Sequence, residues 1–207
     1  TRQLQAALID LGCTKTYYVP GCRSVPKTPK QKRNGSGELR LVFVSLIYRK
    51  KGVMILLDAL ELLAQENNLK IMCDFYGPIL EDREEFLSRI EATTYAQYCG
   101  AVEPENSTSL IAKYDVLVLP TFAPTEGHPG AIIEAMQAGV PVISTQLRTI
   151  PELITQGENG FLVPLQDSRA LADAIKQMAV NPSMRMKMGV ENYRRGEEFR
   201  SDVVVPK

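Results

Sequence analysis

The sequence has little of what several functional classes require. Its net charge is zero, with 24 basic and 24 acidic side chains, so charge alone favours neither nucleic acid nor an anionic membrane as a partner. It has one histidine and no Cys-x-x-Cys pair among its four cysteines, which disfavours a zinc site. No apolar run approaches the roughly 20 residues that are needed to cross a bilayer.

The first residues and the cysteines bear on where the protein works. The chain starts with TRQLQAALIDLG, which lacks an initiator Met and the zones of a signal peptide, so we expect an internal start in a longer protein. Cys73 and Cys99 lie in apolar runs typical of buried thiols, whereas Cys13 and Cys22 could meet in space. Scattered cysteines without a secretion signal favour a reducing compartment, and we therefore expect a cytoplasmic protein.

Short apolar runs alternate with segments of helical spacing along most of the chain. The runs predicted as strands are almost continuously apolar, which is typical of a parallel sheet covered by helices on both faces. The predicted fold class is therefore α/β, a Rossmann-like three-layer α/β/α domain, in which ligands bind at the carboxyl ends of strands. The predicted strands are 15–21, 39–46, 69–77, 94–100, 115–120, 140–145 and 159–164, and the predicted helices are 3–11, 52–67, 81–92, 106–114 (capped by Asn106 or Ser107), 129–138, 149–155, 168–179 and 182–199.

Composition divides the chain into three parts. Residues 23–37 are rich in Pro, Lys, Ser and Gly, as linkers are, and their basic side chains either touch an anionic surface or are solvated. We predict an N-terminal piece with this linker at 1–38, a main domain at 39–181 and a helical segment at 182–207.

The stretch EGHPGAIIEAMQAG, residues 126–139, sets two carboxylates on either side of a helix start. Pro129 suits the first helical position, and Gly139 suits the position after the last turn, where a left-handed residue is needed. Gly127 and Gly130 remove side-chain bulk around the free amides of the first turn. The sequence therefore predicts a seat for an anion at this helix start.

The two acids of that stretch can serve one ligand. Glu134 lies about one and a half turns into the helix, on a side that it shares with Gly130, Ala131 and Ala138. A carboxylate there can accept hydrogen bonds from both hydroxyls of a ribose, and Glu126 can bond a second polyol such as a sugar ring. A nucleoside diphosphate sugar fits this arrangement, with its phosphates at the amides. Alternatively, Glu126 is a solvated loop acid and Glu134 a surface acid.

The order of several motifs resembles the donor-binding domain of family-4 retaining glycosyltransferases, which have the GT-B fold. Glu126 and Glu134, separated by seven residues, are followed by AMQAGVPVIST and TIPELITQGENGFLV, similar to the family's Ala-x-x-x-Gly-x-Pro-Val, Pro-Glu and Asn-Gly-Phe-Leu-Val segments. Upstream, FYGP, YCGAV and IAKYDVLVLPT resemble its turn and strand ends, and LVFVSLIYRKKGVMILLDAL resembles its Gly-Arg-Leu-x-x-x-Lys-Gly segment. Together the motifs span most of residues 39–199.

The resemblance implies a role for each matched position. Lys51 matches the lysine that binds the donor diphosphate, Glu134 the acid that binds the ribose, and Glu126 the acid near the donor sugar. We therefore expect Glu126 and Lys51 as catalytic residues, neither glutamate acting as a nucleophile. Besides Glu134, the expected donor-binding positions are Gly127, His128, Pro129, Gly130, Ala131, Ser45, Arg49, Tyr76, Gly77, Ala101 and Val102.

The sequence departs from the family pattern at three places, one of which is a longer loop, FAPT at 122–125, before Glu126. The family's Gly-Arg pair is Ser45-Leu46, so one of two cations for the diphosphate is missing, and Arg49 or Lys50 could replace it from the same loop. His128 stands where an aromatic residue is usual. Its side chain either points to water or hydrogen-bonds within the donor site.

The resemblance implies the donor domain of a glycosyltransferase, binding a UDP- or GDP-sugar for retaining, metal-independent transfer in polysaccharide or glycoconjugate assembly. No Asp-x-Asp metal motif occurs, and no cofactor is expected. Residues 1–38 would be the remnant of an N-terminal acceptor domain, the other expected partner, plus the interdomain linker. Residues 182–207 would be a C-terminal helical segment that is cut before its natural end, because EEFRSDVVVPK resembles the start of the family's late Phe-containing helix. Nucleic acid is not expected, and the longer protein could associate peripherally with the cytoplasmic face of a membrane.

Two other functions remain open from the sequence. One is another GT-B nucleotide-sugar enzyme, such as an epimerase. The other is a degenerate nucleotide-binding module without catalysis, which the loss of Gly-Arg at Ser45-Leu46 favours and the presence of Lys51, Glu126 and Glu134 disfavours. We expect the chain by itself to bind nucleotide without transferring sugar.

Overall fold

The computed structural model describes residues 1–16, 37–66 and 69–204. Within these ranges six strands form one sheet, and all neighbouring pairs are parallel. The strands are β1 (Leu39–Val44), β2 (Ile71–Tyr76), β3 (Ala96–Tyr98), β4 (Val116–Leu119), β5 (Val142–Thr145) and β6 (Gly160–Val163), in the spatial order β3-β2-β1-β4-β5-β6.

Helices connect the strands. The α-helices are α1 (Arg2–Asp10), α2 (Val53–Ala64), α3 (Arg83–Glu91), α4 (Pro104–Ile111), α5 (Gly130–Ala138), α6 (Ser168–Val180), α7 (Pro182–Gly196) and α8 (Ser201–Val204). Single 3₁₀ turns lie at Arg49–Lys51, Ile150–Glu152 and Glu197–Phe199. In the described part of the chain, no helix is both long and apolar enough to cross a membrane.

The core covers both faces of the sheet. Consecutive strand residues point to opposite faces, yet Leu41, Val42 and Phe43 are all fully buried. Helix α2 packs against α6, while α4 and α7 pack against α5, which gives the two helical layers. These findings confirm the predicted Rossmann-like α/β fold with a parallel sheet.

The strand order fixes where a ligand can bind. From β1 the chain builds outward through β2 and β3, then returns to β4 on the other side of β1. The loops that follow β1 and β4 therefore leave the sheet side by side but in opposite directions. Such a switch point opens a crevice at the carboxyl ends of the two strands.

Most helix starts differ from the predictions by one or two residues, and the helix predicted at 149–155 is only the 3₁₀ turn Ile150–Glu152. Two helices also differ in their N-caps. Pro129 is not the first residue of α5 but its N-cap, with φ −60° and ψ 125°, and its carbonyl accepts from the amides of Ile132 and Ile133. Helix α4 begins at Pro104 with Glu103 as N-cap, so the prediction of a cap at Asn106 or Ser107 was wrong. Proline's fixed φ suits a helix start, which places Ser107 inside α4.

Other predictions fall at the edges of the described ranges. Most of the predicted strand 15–21, nearly all of the linker 23–37, and Cys22 lie outside the described residues.

Cys73 is buried as predicted, Cys99 only in part, and Cys13 is exposed; all three are free thiols. The helix predicted at 182–199 ends at Gly196 and continues as the 3₁₀ turn Glu197–Phe199.

Candidate functional site

The loops after β1 and β4 are joined where the two strands end. The amide of Phe122 donates to the Lys50 carbonyl at 2.8 Å. Gly52, with φ 80°, lies so close to β4 that an added Cβ would overlap the carbonyl oxygen of Pro120. This contact brings Lys51 to the mouth of the crevice.

Lys51 and Glu126, the two predicted catalytic residues, meet at this point. The Lys51 Nζ lies 2.6 Å from Glu126 Oε2, and the two side chains are only 15% and 10% exposed. The same oxygen accepts a hydrogen bond from the Thr121 hydroxyl at 2.9 Å. Removal from water strengthens the attraction between the charges, so the pair fixes both side chains.

Glu134 is also buried, with 8% of the residue exposed. Its Oε2 accepts a hydrogen bond from the Ser107 hydroxyl at 2.5 Å, across the contact between α4 and α5. Glu126 is therefore not a solvated loop acid and Glu134 is not a surface acid, so the alternative interpretation of these two residues is wrong. Both carboxylates are held at fixed positions near the start of α5.

The start of α5 has the geometry of an anion seat. Gly130 and Ala131 are the first helical residues, and amides of a first turn have no partners within their own helix. Pro129, as N-cap, contributes a carbonyl and no N–H. Gly127 faces open space, since an added Cβ would have no atom within 4 Å. The helix dipole adds partial positive charge at this end.

His128 does not point to water, so the first of the two alternatives for its side chain is wrong. Its side chain is 3% exposed, and Nε2 lies 3.2 Å from Glu152 Oε2. Its ring meets that of Phe199 edge-on, with the centroids 6.3 Å apart. Burial lowers the pKa of the imidazole, although hydrogen bonding to Glu152 opposes this. Whether His128 contacts a donor stays a prediction.

The turn that carries Glu152 also contacts the loop between β4 and α5, which carries Gly127 and His128. Burial opposes ionisation of Glu152, but hydrogen bonds from the amides of Arg2 and Gln3 and from His128 lower its pKa overall. The Thr149 hydroxyl donates to the Gly127 carbonyl at 2.5 Å. These contacts fix the backbone of the loop that precedes α5.

Ser45, Tyr76 and Gly77 lie together where β1 and β2 end. The Ser45 amide donates to the Tyr76 carbonyl at 3.1 Å, and an added Cβ on Gly77, with φ 138°, would overlap the Ser45 carbonyl oxygen. The Tyr76 hydroxyl lies 3.0 Å from that of Tyr114. The backbone, more than the side chains, therefore forms this part of the crevice.

The remaining predicted donor-binding residues are Arg49, Ala101 and Val102. The Arg49 guanidinium lies 3.1 Å from Asp82 and 3.0 Å from Glu85, and is 53% exposed. Exposed pairs of this kind contribute little, so Arg49 can exchange its partners at small cost. Ala101 and Val102 lie in the loop from β3 to α4, at the same edge of the sheet.

Sequence reasoning missed the residues that orient Glu126 and Glu134 and those that fix the loop before α5. Ser107 was read as a helix cap, and Thr121 was not singled out. Thr149 and Glu152 follow β5, and only the Pro-Glu pattern of the resemblance hinted at Glu152. The contacts of Ser107, Thr149 and Glu152 join segments more than 20 residues apart, whereas Thr121 contacts Glu126 within one loop. Within the described residues, no group of three or more His, Cys, Asp or Glu could hold a metal ion.

Comparison with known proteins identifies the family. A model described as "Glycosyl transferases group 1" matches residues 38–181, more than half of the chain. The chain belongs to the group 1 glycosyl transferases. A relative in this family, the putative colanic acid biosynthesis glycosyltransferase WcaL of Salmonella typhimurium, is 29% identical over 146 residues, which are 68% of this chain and 36% of WcaL.

Solved structures share the fold of this group 1 domain. Anabaena HepE in complex with UDP-glucose superposes with a TM-score of 0.79 at 20% identity, covering 99% of this chain and 59% of HepE. A TarM mutant of S. aureus, bound to UDP among other ligands, gives 0.81 at 16% identity, covering 99% of this chain and 41% of TarM. The chain spans less than half the length of its curated relative WcaL. The likeness to the solved structures confirms a domain of the GT-B fold.

Proposed function

We propose that this domain binds a UDP- or GDP-sugar and forms the donor half of a glycosyltransferase. The observation that carries the proposal is the meeting of Lys51 and Glu126 at the switch point of the sheet, 2.6 Å apart. Glu134 lies further along the adjacent helix α5. A paired cation and carboxylate beside a helix start, with a second carboxylate further along that helix, suit a ligand with hydroxyls at both ends and a diphosphate between them.

Each part of the ligand has a partner of suitable chemistry. Glu134 would accept hydrogen bonds from the ribose hydroxyls, with its carboxylate oriented by Ser107. The diphosphate would lie against Lys51 and the first amides of α5, where the open side of Gly127 leaves room. Glu126 would accept hydrogen bonds from hydroxyls of the donor sugar. These hydroxyls would replace Lys51 as the partners of the Glu126 carboxylate.

The same groups can lower the barrier to transfer. In an oxocarbenium-like transition state the sugar gains positive charge and the departing diphosphate gains negative charge. Lys51 and the helix amides would stabilise the leaving group as its charge grows. We propose that transfer retains the anomeric configuration, as the resemblance implies. We also propose that it needs no metal, because Lys51 and the amides supply the positive charge at the diphosphate.

The biological setting is inferred from relatives. WcaL is named for colanic acid biosynthesis, and HepE was solved with UDP-glucose. We propose that the longer protein assembles a bacterial polysaccharide or glycoconjugate, with an acceptor domain completing the active site. Free thiols at Cys13, Cys73 and Cys99 favour the reducing cytoplasm as its compartment.

Calorimetric titration with UDP, GDP and ADP tests the proposal. We expect saturable binding of UDP or GDP, with ADP binding more weakly. Glu134→Ala should weaken that binding about tenfold to a hundredfold, since a hydrogen bond to a charged group contributes about 1.5–3 kcal/mol. Glu91→Ala, the same change at an exposed position on α3, should leave the affinity unchanged. Equal affinities in the wild type and Glu134→Ala, or no binding by the folded protein, would contradict the assignment.

A further inference from the structure

A short turn connects the N-terminal helix to the loop of the candidate site. We name residues 148–152 the bridging turn and residues 124–130 the donor loop. On one side, the bridging turn accepts three hydrogen bonds from α1. The Arg2 amide donates to Glu152 Oε2 at 3.0 Å, the Gln3 amide to Glu152 Oε1 at 3.1 Å, and the Gln3 side chain to the Arg148 carbonyl at 2.8 Å.

On its other side, the bridging turn holds the donor loop by three more contacts. Arg148 Nη1 donates to the Pro124 carbonyl at 2.7 Å, and the Thr149 hydroxyl donates to the Gly127 carbonyl. Glu152 contacts His128 Nε2. Glu152 is therefore shared between α1 and the donor loop, and its side chain is only 16% exposed.

The contact with α1 is of a kind that can form and break. The amides of Arg2 and Gln3 belong to the first turn of α1. Amides of a first turn have no partners within their own helix, and the helix dipole attracts a carboxylate to them. None of the residues of α1 is buried, and Leu4, Ile9 and Leu11 are exposed. Hydrogen bonds, rather than apolar packing, therefore hold α1 against the bridging turn.

We propose that Glu152 is a positioning residue that couples the docking of α1 to the geometry of the donor loop. When α1 is docked, its amides orient the Glu152 carboxylate, which orients His128, while Arg148 and Thr149 fix the loop backbone. The affinity of the site for a nucleoside diphosphate then depends on a helix outside the family match at residues 38–181. This inference rests on the proposed function only for its effect on the ligand.

The single histidine makes the coupling measurable. Proline at the first helical position removes the amide donor without breaking the helix, so Arg2→Pro deletes the contact with Glu152 Oε2. Arg2→Ala is the matched control, because it removes the same guanidinium but keeps the amide. The charged groups that act on His128 are Glu152 and the terminal amine of Thr1.

Proton NMR titration of the His128 ring should separate the two variants. With one donor lost, the Glu152 carboxylate interacts more strongly with the imidazolium, and the terminal amine moves away if α1 is released. Both effects raise the pKa of His128, so we expect it about half a pH unit higher in Arg2→Pro than in Arg2→Ala. Glu152→Gln should move it in the opposite direction.

The effect on the ligand is measured by titrating the same proteins with UDP and GDP. We expect Arg2→Pro and Glu152→Gln to bind about threefold to tenfold more weakly than Arg2→Ala, with Glu91→Gln unchanged. Equal His128 pKa values in the two Arg2 variants would overturn the link to α1. A changed pKa with unchanged affinity would overturn its effect on the donor loop. If the wild type binds no nucleotide, the proposed function fails, and the His128 titration still decides the link.

Discussion

At the scale of single residues, the pair of Lys51 and Glu126 dominates the electrostatics of the crevice. Both side chains lose most of their hydration, and the Thr121 hydroxyl donates a further hydrogen bond to Glu126. Removing one partner leaves a poorly hydrated charge, whereas removing both charges leaves a site that needs no ion pair. The pair should therefore show strong coupling when its members are substituted singly and together.

We predict that Lys51→Met lowers the free energy of unfolding by about 1–3 kcal/mol, because Glu126 loses its counter-ion. The double variant Lys51→Met with Glu126→Gln should recover most of this loss. Urea denaturation of the wild type, both single variants and the double variant measures the coupling. Strictly additive effects would mean that the two side chains do not interact in solution.

A second residue-scale prediction concerns pH. Burial lowers the pKa of His128 in the folded protein, so the unfolded chain binds its proton more readily. The free energy of unfolding should therefore fall as the pH drops from about 7 through the ordinary value of about 6.5. The variant His128→Gln keeps a donor for Glu152 but does not titrate. Its free energy of unfolding should therefore change less between about pH 7 and 5.5 than that of the wild type. Denaturation at several pH values in this window measures the difference, and parallel curves would contradict it.

At the scale of elements, the site depends on how closely the loop after β1 approaches β4. Gly52 precedes α2 directly and follows Lys51, and the carbonyl of Pro120 occupies the place of its missing side chain. Its left-handed conformation also favours glycine. Two separate costs would therefore attend any larger residue at this position.

Gly157 offers a matched control for Gly52. Its φ of 79° equals the 80° of Gly52 within a degree, but an added Cβ would have nothing within 4 Å. We predict that Gly157→Ala lowers the free energy of unfolding by about 1 kcal/mol, the conformational cost alone. Gly52→Ala should cost about 2 kcal/mol more, because the new methyl group displaces Pro120. Equal losses on urea denaturation would show that the approach of the two segments is not tight.

Helix boundaries show what local sequence can predict. Gly139 ends α5 in the left-handed conformation with φ 66°, as its place after the last apolar residue predicts. The start was off by one residue, since proline's fixed φ is compatible with both the N-cap and the first helical position. In α4, Pro104 set the start, and the polar run at 106–109 misled the prediction. Competing caps cannot be ranked without their tertiary partners.

At the scale of the whole molecule, the alternation of apolar runs with helical segments predicted the parallel sheet. It could not predict the strand order, which places β4 beside β1. That order brings together Lys51 and Glu126, 75 residues apart. The resemblance implied a role for each of them, but it did not predict that they contact each other. The bridging turn was missed for the same reason, because its partners lie 149 and 150 positions away.

The C-terminal helices belong to the same packing unit in the described part of the chain. Helix α7 packs on α5, and an added Cβ on Gly189 would meet the carbonyl of Gly139. Asn192 is fully buried and donates to the carbonyls of Val140 and Asn159. Residues beyond 181 thus support the helix that carries Glu134, although they lie outside the family match.

The most direct measurement is a crystal structure of this chain with the nucleoside diphosphate sugar that binds most tightly in calorimetry. The account predicts the ribose hydroxyls at Glu134, the diphosphate between Lys51 and the first amides of α5, and the sugar at Glu126. A nucleotide bound elsewhere on the domain, or one whose ribose and diphosphate do not contact Glu134 and Lys51, would contradict it.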